Sequence, residues 1–353
     1  MTMFQVLADG RGRGGTLLSM HRSAALVALV GAFGCAQPMA LDDRAYSNEA
    51  SMELVERARL VAGTDLAEEF GELCVKPRPT RVLGLPPAPG TNPRPRPPRP
   101  PEQPLPPTRL FDNLFYVGSE AVGATIIDTD DGLILIDTLT LDGDVETILL
   151  PGMAELGLDP HDIRYVIVTH AHGDHHGGVR LLRERYPNFR VIMSEADWAY
   201  SLMPYYMVDG GLDPASKPPR REGDISYTGT YDLALGRTKV RIVETPGHTP
   251  GTSSLFYNVT YEAGEAVVMQ WGGGSPLNSG VQLSSVERFV QEAKSAKPSA
   301  QWSSHTTAAA LALFAPAYRS GPEEHPLMWD AAVMDRYLDI VLLCKKAASA
   351  SGL

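Results

Sequence analysis

Four of the nine histidines fall within the seven residues from His170 to His176. They stand in the order Thr169-His170-Ala171-His172-Gly173-Asp174-His175-His176-Gly177-Gly178, with one carboxylate among them. Neutral imidazoles plus a carboxylate are the donor set of zinc and similar borderline metals. A merely solvated loop needs neither that density nor the H-x-H-x-D-H order. Further donors must come from later loops, because a catalytic zinc takes three protein ligands and keeps an open position. Thr245-Pro246-Gly247-His248-Thr249-Pro250-Gly251 is the strongest source, since its glycines and prolines fix a turn around a single His. A last donor comes from His305, after Trp302-Ser303-Ser304, or from His325 in a Pro-flanked loop. His305 is favoured, because a strand end positions a ligand better than a Pro-rich loop. His176 adjoins His175 but points elsewhere on any regular backbone, which gives it a supporting or an exposed role. His161 and His21 have no partner in the pattern.

The elements that must position these residues follow from periodicity. Ile163 to Val168 is apolar and β-branched, a buried strand leading into the histidine loop, and Val179 to Arg185 is a helix leaving it. Asn113 to Gly118, Gly123 to Asp128 and Leu133 to Asp137 are expected strands separated by turn residues such as Asp130-Asp131-Gly132. Val145 to Leu156 is an expected helix, Phe189 to Met193 a strand, and Ala196 to Met203 a helix. Lys239 to Glu244, Thr252 to Tyr257 and Glu265 to Gln270 supply more strands. Val286 to Ala296 is helical, Gln301-Trp302 a short strand, and Trp329 to Ala348 a closing helix. Strands in both halves with helices between them suggest an α/β fold of two sheets packed face to face, helices outside.

Ahead of this pattern the chain changes character. His21-Arg22 precedes the apolar run Ala24 to Phe33, too short to span a bilayer and ordered like an export signal, with Met20 a possible true start and Ala36 and Ala40 possible cleavage points. Cys35 is a possible lipidation site, although Phe33 makes a poor lipobox. Asn48 to Leu73 has helical periodicity. Residues 77–107 then hold 14 of the 29 prolines, interleaved with arginines, and should be extended or disordered. The expected organisation is an export signal at 1–40, a helical segment at 41–75, a Pro/Arg-rich linker at 76–108, a catalytic domain at 109–320, and a C-terminal helix packing on it at 321–353. Removal of the signal leaves Cys74 and Cys344, either a disulfide in an oxidising compartment or two separate buried thiols. A net charge of −11 argues against a nucleic-acid or anionic-membrane binder, and no transmembrane span is expected. A periplasmic or secreted protein acting on a small molecule fits these features; its oligomeric state is invisible in them.

The H-x-H-x-D-H loop, the Thr245–Gly251 loop, a late His and the hydrophobic strand Gly132-Leu133-Ile134-Leu135-Ile136 ending in Asp137 together resemble the metallo-β-lactamase superfamily over about residues 109–320. The resemblance implies a four-layer αβ/βα sandwich with the metal site at one edge of its sheets. By position, His170, His172 and His248 would bind a first zinc, and Asp174, His175 and His305 a second, with Asp137 steadying the loop behind them. Glyoxalase-type and lactonase-type members carry a bridging Asp after the strand that here is Ala266 to Gln270; this chain has Trp271-Gly272-Gly273-Gly274-Ser275 instead. That absence, with a His at the second site, resembles class B, subclass 3 metallo-β-lactamases, although those usually carry a Ser-bearing segment where this chain has glycines.

The implied chemistry is hydrolysis by a hydroxide shared between two zincs, with Asp174 orienting the nucleophile and carrying a proton. β-Lactams are the first substrate class to try. The alternative is a lactone, thioester or other ester. A non-catalytic envelope-binding protein with a structural metal is a third reading, but two sites of three ligands each leave room for water. Tyr205, Tyr206 and Trp271 are candidate pocket aromatics or ordinary packing.

Overall fold

The computed structural model describes residues 46, 48–75, 102–202, 217–262, 264–277, 280–306, 311 and 325–352. The expected export signal with Met20, His21 and Cys35, most of the Pro/Arg-rich linker, and Tyr205 and Tyr206 lie outside the described residues.

Twelve strands form two sheets among the described residues. The larger runs in chain order: β1 (Thr108–Phe111), β2 (Leu114–Gly118), β3 (Gly123–Thr129), β4 (Gly132–Ile136), β5 (Ile163–Ile167), β6 (Arg190–Ser194) and β7 (Ile225–Tyr227). The smaller has the order β12 (Ala300–Trp302), β11 (Gly264–Gln270), β10 (Ser253–Tyr261), β9 (Thr238–Glu244) and β8 (Thr230–Leu235). β1 to β4 are antiparallel neighbours, whereas β4 to β7 are parallel, so β4, β5 and β6 present their carboxyl ends at the same edge.

Alternation along the strands builds the layers. On β4, Leu133 and Leu135 face an outer core with Val145, Leu149, Val179, Leu182 and Trp198 from the flanking helices. Ile134 and Ile136 face the other way, onto Ile242, Leu255 and Tyr257 of the second sheet. Phe256 of β10 points outward again, to Val55, Phe289 and Leu338 of a helical layer. With period-2 side chains, each sheet therefore buries both faces, giving helix, sheet, sheet, helix. The four-layer sandwich is as expected.

The second helical layer joins the two ends of the chain. Helix Glu49–Ala62 lies against the C-terminal helix Ala331–Ala350, and Cys74, on the helical turns Gly71–Val75 that follow, forms a disulfide with Cys344 of that C-terminal helix. Of the two readings of these cysteines, the bonded one holds. Several boundaries differ from expectation. The segment 48–73 is not one helix: it ends at Gly63, with φ +62°, and resumes at Ala67. Helix 145–156 has wide π-type turns over Val145–Leu149 and becomes regular only at Leu150, just before Pro151. The linker's last residues belong to the fold, since the Leu105 amide donates to Gly118 O at 2.8 Å and β1 begins at Thr108. β1, β7 and β8 were not expected, being short and bordered by proline or glycine. No helix among the described residues is long and apolar enough to cross a membrane.

Candidate metal centre

The histidine loop leaves the carboxyl end of β5, the His248 loop that of β9, and His305 follows β12. The cluster thus lies at one edge of both sheets, outside the strand ends, where parallel α/β sheets bind ligands. Close backbone approach shapes the loop. A Cβ on Gly177 would lie 1.7 Å from Thr140 O, and one on Gly178 would lie 2.4 Å from Thr138 O. Only glycines let the segment after Asp137 pass against the helix start.

Two triads result: His170, His172 and His248, and beside them Asp174, His175 and His305, the three donor atoms within each triad lying within 4.8 Å of one another. Each ring has one nitrogen fixed or facing the cluster. His170 Nδ1 is 3.1 Å from Thr169 Oγ1, leaving a buried Nε2 with no hydrogen-bond partner. His175 Nδ1 is 2.7 Å from Asp137 Oδ2, and its buried Nε2 makes no hydrogen bond but faces Asp174 Oδ2 at 3.5 Å. His305 Nδ1 meets the carbonyl of Ala121 at 2.5 Å, which turns the other nitrogen inward. His172 Nδ1 and His248 Nε2 face one another at 3.0 Å. Orphaned buried nitrogens and two lone pairs pointed together are expensive in a protein interior unless a cation lies among them. The residues of each triad fit a bound metal ion.

Charge supports the same reading. Burial and the neighbouring imidazoles hold His170 well below its ordinary value, and push His172 down to about 3 and His248 to about 4. These rings are neutral at pH 7, the form that ligates. Burial also works against a charged His175, but Asp137 and Asp174 outweigh it and raise that ring to about 9. Burial raises Asp174, yet His175 and His172 more than offset it, so the carboxyl ends below its ordinary value. Asp137, fully buried at the end of β4 with φ +63°, accepts from the Thr169 amide at 2.9 Å, Thr169 Oγ1 at 3.0 Å and Ser304 Oγ at 3.1 Å. It therefore steadies both the histidine loop and the residue before His305.

The structure brings together all six residues expected as ligands. His325 is elsewhere, stacked on Phe111 with ring centroids 4.1 Å apart and bonded to Leu110 O. His176 is buried, so of its two expected roles the exposed one fails; burial pushes it down to about 4. His161 is not without a partner, since its Nδ1 lies 2.8 Å from Asp159. Trp271 packs edge-on to Phe289 at 4.9 Å, the ordinary packing reading. Gly273, φ +78°, lies directly on His248: a Cβ there would be 2.7 Å from the Cβ and Cγ of that residue. Backbone at Gly273 thus packs directly against His248. One residue went unnoticed in the sequence. Asp197 is fully buried between the histidine loop and the His248 loop, and burial pushes its carboxyl up to about 6.

Comparison with known proteins agrees with this geometry. Residues 118–260 match the model of the Metallo-beta-lactamase superfamily. N-acyl homoserine lactonase AttM of Rhizobium radiobacter is 33% identical over 105 residues, 29% of this chain and 38% of that protein. N-acyl homoserine lactonase AiiA of Bacillus thuringiensis subsp. kurstaki is 26% identical over 208 residues, 49% of this chain and 76% of that protein. The chain thus spans well under half the length of the first of these relatives. Among solved structures, BJP-1, a subclass B3 metallo-beta-lactamase of Bradyrhizobium japonicum, superposes with a TM-score of 0.51 at 22% identity, covering 70% of this chain and 90% of that one. A Cronobacter sakazakii metallo-beta-lactamase gives 0.55 at 21% identity, covering 71% and 97%. At such identities these two likenesses speak for the fold.

Proposed function

We propose, from the premise that this chain belongs to the metallo-β-lactamase superfamily, that it is an exported dizinc hydrolase opening a cyclic amide or ester, with β-lactams the first candidate. The observation that carries this reading is the pair of adjacent triads, one of three histidines and one of Asp174, His175 and His305. Zinc ions held there would supply hydroxide at neutral pH and polarise a carbonyl. Six protein ligands shared over two ions leave positions for water and substrate. Asp174, half-buried with Oδ2 3.5 Å from His175 Nε2, would orient the attacking water and carry its proton towards the leaving group. Asp137 keeps His175 and the His305 strand end in register during that transfer. The half-buried His172 and His248 and the exposed His305 leave the edge open to a small molecule. The Cys74–Cys344 bond supports an oxidising compartment, and with it export.

Within this reading two ring types compete. The lack of an Asp in Trp271 to Ser275, the segment whose Gly273 packs on His248, favours the β-lactam arrangement. The curated relatives named as N-acyl homoserine lactonases favour a lactone. Turnover of nitrocefin and of an N-acyl homoserine lactone, each with and without a chelator, separates them. Chelator-sensitive nitrocefin opening supports the first; lactone opening alone moves the assignment to the second; neither, in zinc-loaded protein, sinks the cyclic-substrate reading.

A further inference from the structure

Two fully buried carboxylates lie behind the triads, and they serve different ones. Asp137 reaches His175, Thr169 and Ser304, so two of its three contacts bear on the second triad. Asp197 touches none of the six ligand side chains. It sits on the helix Glu195–Ser201 that follows β6, and its carboxylate is aimed at backbone and hydroxyl groups of the two loops of the first triad. Oδ2 accepts from the Ala171 amide at 2.8 Å and from Thr249 Oγ1 at 2.7 Å, and Oδ1 accepts from the Gly251 amide at 2.7 Å. Ala171 lies between His170 and His172, and Thr249 directly follows His248. One side chain thereby ties together both segments that carry the three-histidine triad. The fit is close: a Cβ on Gly251 would lie 1.9 Å from Ser194 Oγ and 2.7 Å from the Asp197 amide.

We propose that Asp197 is a positioning residue dedicated to the three-histidine triad, fixing the spacing of its two loops and so setting the metal affinity of that site independently of the other. The inference rests on the reading of the triads as metal sites. Its chemistry is specific to a carboxylate. An amide has a single oxygen, so Asp197→Asn must turn an N–H₂ group towards either the Gly251 amide or the Ala171 amide, setting donor against donor. Loss of a group that orients ligands from behind typically lowers metal affinity about 10- to 100-fold.

The test is zinc affinity of the full chain, measured by competition with a chromophoric chelator, in backgrounds that each leave one triad. With His305→Ala the three-histidine triad remains, and adding Asp197→Asn should weaken zinc about 10- to 100-fold. With His248→Ala the other triad remains, and the same change should shift affinity by less than about twofold, as for an independent site. Thr249→Val, which removes one of the three bonds and preserves shape, should give a smaller loss confined to the same background, and it carries the test if Asp197→Asn does not fold. Ser194→Ala removes the hydroxyl that caps this helix, 3.1 Å from the Asp197 amide, without touching either loop's bonds to Asp197. It should lower thermal stability and leave zinc affinity unchanged. Equal losses in both backgrounds, no loss in either, or a loss with Ser194→Ala as large as with Asp197→Asn would overturn the proposal. Failure of His305→Ala protein to bind any zinc with Asp197 intact would overturn the triad itself, and the proposal with it.

Discussion

At the scale of single residues, protonation separates the two triads. His172 and His248, held at about 3 and 4, are ready to ligate at neutral pH, whereas His175, at about 9, carries a proton that an incoming metal must displace. Between about pH 6 and pH 8, zinc affinity at the Asp174-His175-His305 triad should therefore rise about tenfold per pH unit, because deprotonating His175 favours the ligating form. Over the same range the three-histidine triad should be nearly flat. Zinc titrations of the His248→Ala and His305→Ala proteins check this, and equal slopes would contradict it. The choice of last ligand is as direct: His305→Ala should retain about one zinc per chain, and His325→Ala about two. The donors of the loop from His170 to His176 were legible because their types and order are themselves a pattern, whereas His248 and His305 were reached through the turn and strand end that carry them and through the family resemblance. Asp197 was not, because an isolated Asp on a helix shows nothing of the Ala171, Thr249 and Gly251 donors that fold around it.

At the scale of elements, the site depends on backbone passing where no side chain fits. Gly177→Ala sets a Cβ against Thr140 O, so we expect about 2–3 kcal/mol of lost stability, read from denaturant midpoints. Gly273→Ala should displace His248 and lower turnover at least about tenfold, with zinc content falling towards one, since small misplacements of a catalytic group have large effects. Unchanged turnover would show that the loop yields freely. The strands carrying the site were readable: β4, β5 and β9 are continuous or alternating apolar runs ending in Asp137, the histidine loop and Thr245. β1, β7 and β8 were hidden because three to six residues beside proline or glycine give too little periodicity, and tertiary pairing decides them.

At the scale of the molecule, the Cys74–Cys344 bond spans a sequence separation of 270 and fastens the helical layer that packs on the smaller sheet. Reduction should remove about 2–4 kcal/mol of stability by freeing the unfolded chain. A fall in melting temperature with reductant, at unchanged zinc content below it, checks this; an unaltered melting temperature would contradict it. Four layers could be expected from strands in both halves of the chain, whereas the pairing of its two ends stood as one of two readings of Cys74 and Cys344, since a pair of cysteines does not state its own geometry. The central claim is that two adjacent triads each hold a zinc ion. Anomalous diffraction at the zinc edge tests it most directly. The account predicts one peak among His170 Nε2, His172 Nδ1 and His248 Nε2, and a second among the Asp174 carboxylate, His175 Nε2 and His305. A single peak, or zinc bound away from these six side chains, would contradict it.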